Sequence, residues 1–385
     1  MTDVLTRRDL LRRAAASGAF LTVPAVLAAC GGSSSKTSGS SSDHTLAKTL
    51  RFSNWTLYID INEKTKRHPT LDMFKKQTGT TVNYVEDIND NASFFGKIQG
   101  PLSRGQSIDR DIIVMTDNSR YPALLIKKGW VEKLDKSAIP NIKNLQSALQ
   151  HPNWDPNRDY SLPWQSGMTG IAYNDKLTDP VLTMDELLDN KKLKGKVTLL
   201  TEMGDTLTLV MFANGDDPTK VTDATFDKAI KRIQKAVDSG QVRQFTGNDY
   251  SGPLSKGDLS ACMAWSGDVV QLQADNSHLH WNVPEAGGGI WTDNMLIPKG
   301  GNVFTASTYM NFVYEPKIAA LIEDYVNYIC PVKGAKEALQ KIDPAVAKNT
   351  LIFPTQKMLD NVKGFDAAAL ANQKYLETWQ NLISG

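Results

Sequence analysis

Cysteine is nearly absent from this chain, at three residues in 385. That excludes the disulfide framework that holds small exported domains together. Histidine is almost as scarce, at five. Only His278 and His280 are near neighbours. Their i,i+2 spacing fits one face of a strand, but no third ligand accompanies them, so they read as surface or packing residues. No Walker-type phosphate loop occurs, no G-x-G-x-x-G follows a strand, and no serine occupies a nucleophile elbow. An excess of either charge is missing too, with 43 Lys and Arg against 42 Asp and Glu. The basic field that nucleic-acid binding needs is therefore not there. These absences count against catalysis and leave binding as the better-supported class of role.

What is present starts at the N-terminus. Arg7, Arg8, Arg12 and Arg13 precede a short apolar stretch, Ala14 to Ala29, interrupted by Gly18 and Pro24. The stretch is too short and broken for a permanent bilayer span and reads as an export signal over residues 1–29. Within it, Thr6-Arg7-Arg8-Asp9-Leu10-Leu11-Arg12 resembles a twin-arginine signal. Leu27-Ala28-Ala29-Cys30 resembles the bacterial lipobox, which implies cleavage before Cys30 and lipidation of its thiol. A Ser/Gly-rich run over residues 30–47 cannot build a core and reads as a tether. Removing the four Arg and two Asp of residues 1–29 leaves 39 basic and 40 acidic residues. The two remaining cysteines, Cys262 and Cys330, are expected as separate buried thiols. No later stretch is long and apolar enough for a second membrane segment.

The mature chain alternates strands and helices. Residues 49–53, 80–85, 110–115, 170–174, 196–200 and 259–265 read as strands, and the continuous apolar run at 110–115 suits one buried on both faces. One helix begins near Pro69 and stops at Gly79, and another ends at Gly129. Phe226, Ile230, Ile233 and Val237 recur at helical spacing, with a stop at Gly240. Such alternation argues for parallel α/β sheets, and the length supports two lobes.

Asn54-Trp55-Thr56-Leu57-Tyr58-Ile59 follows the first strand. Ala264-Trp265-Ser266-Gly267-Asp268, Gly289-Ile290-Trp291-Thr292-Asp293 and Tyr328-Ile329-Cys330-Pro331 follow in order, with the two later Trp residues 26 positions apart. Together these motifs resemble the spermidine/putrescine-binding protein family over essentially the whole mature chain. The resemblance implies an α/β, two-lobed periplasmic binding protein (type II-like) with interleaved lobes and a hinge. Lobe one would comprise 48–160 with 293–343, and lobe two 161–292 with 344–385. It further implies a monomeric lipoprotein on the outer face of the cytoplasmic membrane. That lipoprotein would hand a polyamine to the permease of an ATP-driven importer, with no cofactor, metal or catalytic residue. Carried over residue by residue, Trp55, Tyr58, Trp265, Trp291 and Tyr328 resemble aromatic walls. Asp293 and Asp268 resemble acids that pair with ammonium groups, and Thr56 and Thr116 small hydroxyl contacts. Glu202 and Asp205 resemble an acidic pair at a terminal amine. The family's C-terminal ligand-contacting Gln has only Gln356 as a candidate here. The loop Asp117-Asn118-Ser119-Arg120-Tyr121 is longer than the family's, and an inward Arg120 would oppose a cation.

The residue types suit the chemistry. A polyamine is a methylene chain punctuated by ammonium groups. Carboxylates replace the water each ammonium loses, and aromatic faces cover the methylenes and attract the charges. Taken singly, a Trp at a strand end reads equally as core, Asp293 as a turn residue, and Glu202 or Asp205 as helix caps. Rival readings are a binding protein for another organic cation or small solute, and a surface-anchored enzyme or sensor.

Overall fold

Five consecutive residues, Ile112–Thr116, are all buried, the pattern of a strand covered on both faces. This strand, β3, lies inside a ten-stranded sheet. Its companions are β1 (Thr49–Trp55), β2 (Thr81–Ile88), β4 (Ser161–Asn174), β5 (Val197–Leu200), β6 (Val242–Thr246), β7 (Ala261–Trp265), β8 (Leu279–Asn282), β9 (Gly288–Leu296) and β10 (Val362–Lys363). The computed structural model describes residues 44–62 and 64–384. The export signal, Cys30 and the tether as far as residue 43 lie outside the described residues.

The strand order is β2-β1-β3-β9-β4-β7-β5-β6, with β8 on β4 and β10 on β9. β1 pairs in parallel with β2 and β3. At the far side β5 pairs in parallel with β6 and β7. Between these two parallel trios run β4 and β9, antiparallel to each other and to their outer neighbours. The N-terminal half of β4 lies with the first trio, since Ser161 and Leu162 face Leu296 and Met295, which in turn pair with β3. Its C-terminal half pairs with β7 from Thr169 to Tyr173. The paired strands β4 and β9 thus cross from one half of the molecule to the other near Gln165–Met168 and Ile290–Thr292.

Helices cover the trios as the sequence pattern requires. The helix Asp223–Asp238 buries Phe226 and Ile233 and starts at a capping box between Thr222 and Thr225. The helix Pro69–Thr78 stops at Gly79 in the left-handed conformation. Ala347 packs on Ala320 and Leu339 with Phe353 beside them, whereas β10 pairs with β9 and Trp379 donates its indole N–H to the Thr201 carbonyl.

β4 is much longer than the strand read at 170–174, and β9 was read only as a motif. Pro163 argues against a central strand, yet a register shift between Pro163 and Gln165 accommodates it. Cys262 and Cys330 are both buried and free. His278 and His280 each place a ring nitrogen 2.7 Å from Asp175 at a half-exposed edge. No described helix is long and apolar enough to cross a membrane.

Candidate functional site

All six parallel strands point their carboxyl ends at one cleft, the place where open α/β sheets present a crevice. The chain leaving β1 supplies Trp55, Thr56 and Tyr58; that leaving β2, Asp90 and Asn91; and that leaving β3, Asn118. Beyond β5 come Glu202 and Asp205, beyond β6 Asn248, and beyond β7 Asp268 and Gln271. The crossing strand β9 adds Trp291 and Asp293, and Tyr328 closes the wall. The cavity measures about 240 Å³ and contains every one of the eleven residues singled out from sequence.

Local structure explains how each reaches it. Leu57 adopts a positive φ of 57°, an uncommon conformation for a branched residue. The turn it makes leaves Thr56 exposed at the rim while Tyr58 is buried. Asp293 is not in a turn but within β9, opposite Thr116 on β3 and Gln165 on β4. Glu202 occupies the N-cap position of the helix Met203–Ala213 but makes no capping bond. Its carboxyl instead meets the Asn91 amide at 3.4 Å. Tyr328 follows Asn327, which ends its helix with φ 60°.

The acids are differently occupied. Asp293 accepts from Tyr58 at 2.7 Å and from Thr116 at 2.6 Å. Asp205 accepts from Thr169 and from the Trp265 indole. Thr169 in turn accepts from the Trp291 indole at 3.1 Å, so one hydroxyl ties an acid to an aromatic wall. Asp268 takes Tyr328 and Tyr250 hydroxyls at 2.7 Å and the Asn248 amide at 2.9 Å. Burial lifts Asp293 to about 7 against the pull of its Thr116 and Tyr58 bonds. Burial, reinforced by neighbouring Asp205, lifts Glu202 to about 7. Asp205 is raised by burial to about 6, held back by Thr169, Trp265 and Asn118. Asp268 is also raised by burial, opposed by its three donors.

The aromatic rings meet edge to face. Trp265 and Trp291 have centroids 6.3 Å apart at 79°, and Tyr58 and Tyr328 5.2 Å apart at 82°. Two glycines make room for them. A Cβ on Gly167 would come within 2.4 Å of the Trp291 ring, and one on Gly267 within 2.3 Å of Tyr328. Sequence reasoning assigned no role to these glycines, nor to Thr169, Asn91, Asn118 or Tyr250. Gly267 was in plain view inside Trp-Ser-Gly-Asp. The others carry no local signal.

Two expectations are corrected. Gln356 does not enter the cleft; it donates to Asp360 at an exposed helix start, one turn along the same helix. Arg120 does not line the cavity either, and leans over Tyr121 toward Gln373.

The model of the bacterial extracellular solute-binding protein family matches residues 70–354. The spermidine/putrescine-binding periplasmic protein of Escherichia coli (strain K12) is 25% identical over 339 residues, covering 88% of this chain and 92% of that protein. The putrescine-binding periplasmic protein SpuD of Pseudomonas aeruginosa (strain UCBPP-PA14) is 27% identical over 364 residues, with 88% and 92% covered. In fold, the chain is similar to the Tp0655 (TpPotD) lipoprotein of Treponema pallidum. That match has a TM-score of 0.72 and 21% identity, and covers 88% of this chain and all of that one. Its two half-sheets joined by crossing strands are the two lobes of a periplasmic binding protein. The chain belongs to the bacterial extracellular solute-binding proteins, which capture a solute rather than transform it.

Proposed function

We propose that the captured solute is a polyamine of the spermidine or putrescine class, held between the lobes and delivered to the membrane permease of an ATP-driven importer. One observation carries this. Six carboxylates line the cavity (Asp90, Glu202, Asp205, Asp268, Asp275 and Asp293), and no Lys, Arg or His among the described residues does. A buried cluster of acids without a resident base is costly until cations enter. Six aromatic side chains share the same walls and suit the methylenes between ammonium groups. The names of the relatives agree with this reading.

Within the site, Asp293 and the pair Glu202 and Asp205 bind ammonium groups. Trp55, Trp265, Trp291, Tyr58 and Tyr328 cover the chain between them. Thr116 steadies Asp293, Thr56 contributes at the rim, and Asp268 adds charge while holding Tyr328. Lobe one comprises 48–160 with 293–343, and lobe two 161–292 with 344–385. The packing of Ala347 and Phe353 beside Ala320 and Leu339 supports moving the last crossing beyond residue 353. The pairing of Ser161 and Leu162 beside β3 supports moving the first into β4. The protein works as a monomer, tethered to the outer face of the cytoplasmic membrane through lipidated Cys30.

Calorimetric titration with spermidine, spermine and putrescine, with glucose and ferric citrate as controls, tests the reading. Saturable one-to-one binding of a polyamine alone is expected. No heat with any polyamine would overturn the ligand assignment.

A further inference from the structure

Asn118 is buried, with 8% of its surface exposed, and lines the cavity. Its side chain reaches the Asp205 carboxyl, yet its side-chain oxygen has no hydrogen-bond partner. A buried acceptor left unpaired costs stability. Here it is placed beside acids that themselves await donors. The backbone of the same residue makes a second approach. A Cβ built on Gly204 would lie 2.8 Å from the Asn118 carbonyl oxygen, with Leu370 and Phe365 at 3.4 and 3.5 Å. Gly204 stands in the first turn of the helix Met203–Ala213, where alanine would favour the helix by about 1 kcal/mol. The glycine is explained by the close contact it permits. Asn118 follows β3 and Gly204 follows β5, and these strands flank the crossing pair β9 and β4 on opposite sides.

We propose that Asn118 couples ligand capture to lobe closure: its side-chain oxygen accepts an N–H from the bound amine, and its backbone carbonyl seats against Gly204 across the cleft. The inference rests on the polyamine reading. The donor would be a terminal ammonium shared with Glu202 and Asp205. Filling that position fixes the Asn118 loop, and the fixed loop is the surface on which the helix of the other lobe comes to rest. The loop's extra length, which sets this chain apart from the family it resembles, is what carries it across.

The test compares the purified wild-type protein with Asn118→Ala and Gly204→Ala. It uses spermidine and putrescine titrations, small-angle scattering at saturating ligand, and melting without ligand. Loss of one hydrogen bond to a charged donor should weaken binding about ten- to a hundredfold in Asn118→Ala, while the loaded protein still closes. Gly204→Ala should also bind more weakly, but its loaded form should stay more open than wild type. Its ligand-free melting temperature should equal or exceed that of wild type, which a merely damaged helix would not show. Wild-type affinity in Asn118→Ala would overturn the ligand contact, and wild-type closure in Gly204→Ala the seating. If Gly204→Ala fails to fold, Asn118→Ala alone decides. No binding to the wild type would overturn the polyamine reading itself, and this inference with it.

Discussion

Acidification should release the ligand, and the size of the effect follows from two buried carboxyls. Glu202 and Asp293 both sit at about 7 in the ligand-free protein, chiefly because burial disfavours their charged forms. Both lie above their ordinary values. The stability they lend the empty protein is therefore present in acid and lost as pH rises through about 7. Ligand binding runs the other way, because an ammonium group pairs only with the carboxylate. Alkyl ammonium groups, near 10.4 in lysine, stay charged throughout. From pH 8 to pH 6 each acid falls from about nine-tenths to about one-tenth ionised, which costs about tenfold in affinity. With both acids required, spermidine affinity should fall about a hundredfold over that range. Calorimetry at pH 6 in buffers of different ionisation enthalpy should register about two protons released per ligand bound. Asp293→Asn should remove one of them. Affinity that is flat from pH 6 to 8, with a buffer-independent heat, would refute the assignment of these acids to ammonium groups.

Trp291→Ala should weaken spermidine and putrescine by similar factors, since it removes coverage and leaves every carboxyl in place; a selective loss of one ligand would contradict this. In Gly267→Ala the new methyl group would collide with the Tyr328 ring, so the tyrosine should be displaced and both polyamines bound more weakly, as titration would show. Cys30→Ser should leave affinity unchanged but move the protein from the membrane to the soluble fraction; continued membrane retention would count against lipidation at Cys30.

The parallel strands were legible because each carries its own pattern. Ile112–Thr116 is buried on both faces and reads as a continuous apolar run. β4 and β9 were not, because Pro163, Gly167, Gly170, Gly288 and Gly289 erase the signal of a strand. At least one of those glycines is there for the site, since Trp291 lies against Gly167. The acids and aromatics of the cleft were found through ordered motifs. Their supporting partners were not, because a contact such as Trp291 with Thr169 spans 122 positions and leaves no trace in local sequence. Gln356 shows the opposite error: a suitable residue type near a suitable position, spent on an ordinary bond to Asp360.

Trp291 and Asp293 belong to one of the two paired strands that join the lobes. The floor of the binding site is thus the flexing element itself. Cargo pressed against it works as a splint, and the stiffness of this ribbon becomes a common factor in how long the cargo is held and how readily the jaws part. A change that rigidified β4 or β9 far from any ligand atom would alter residence time without altering a single contact.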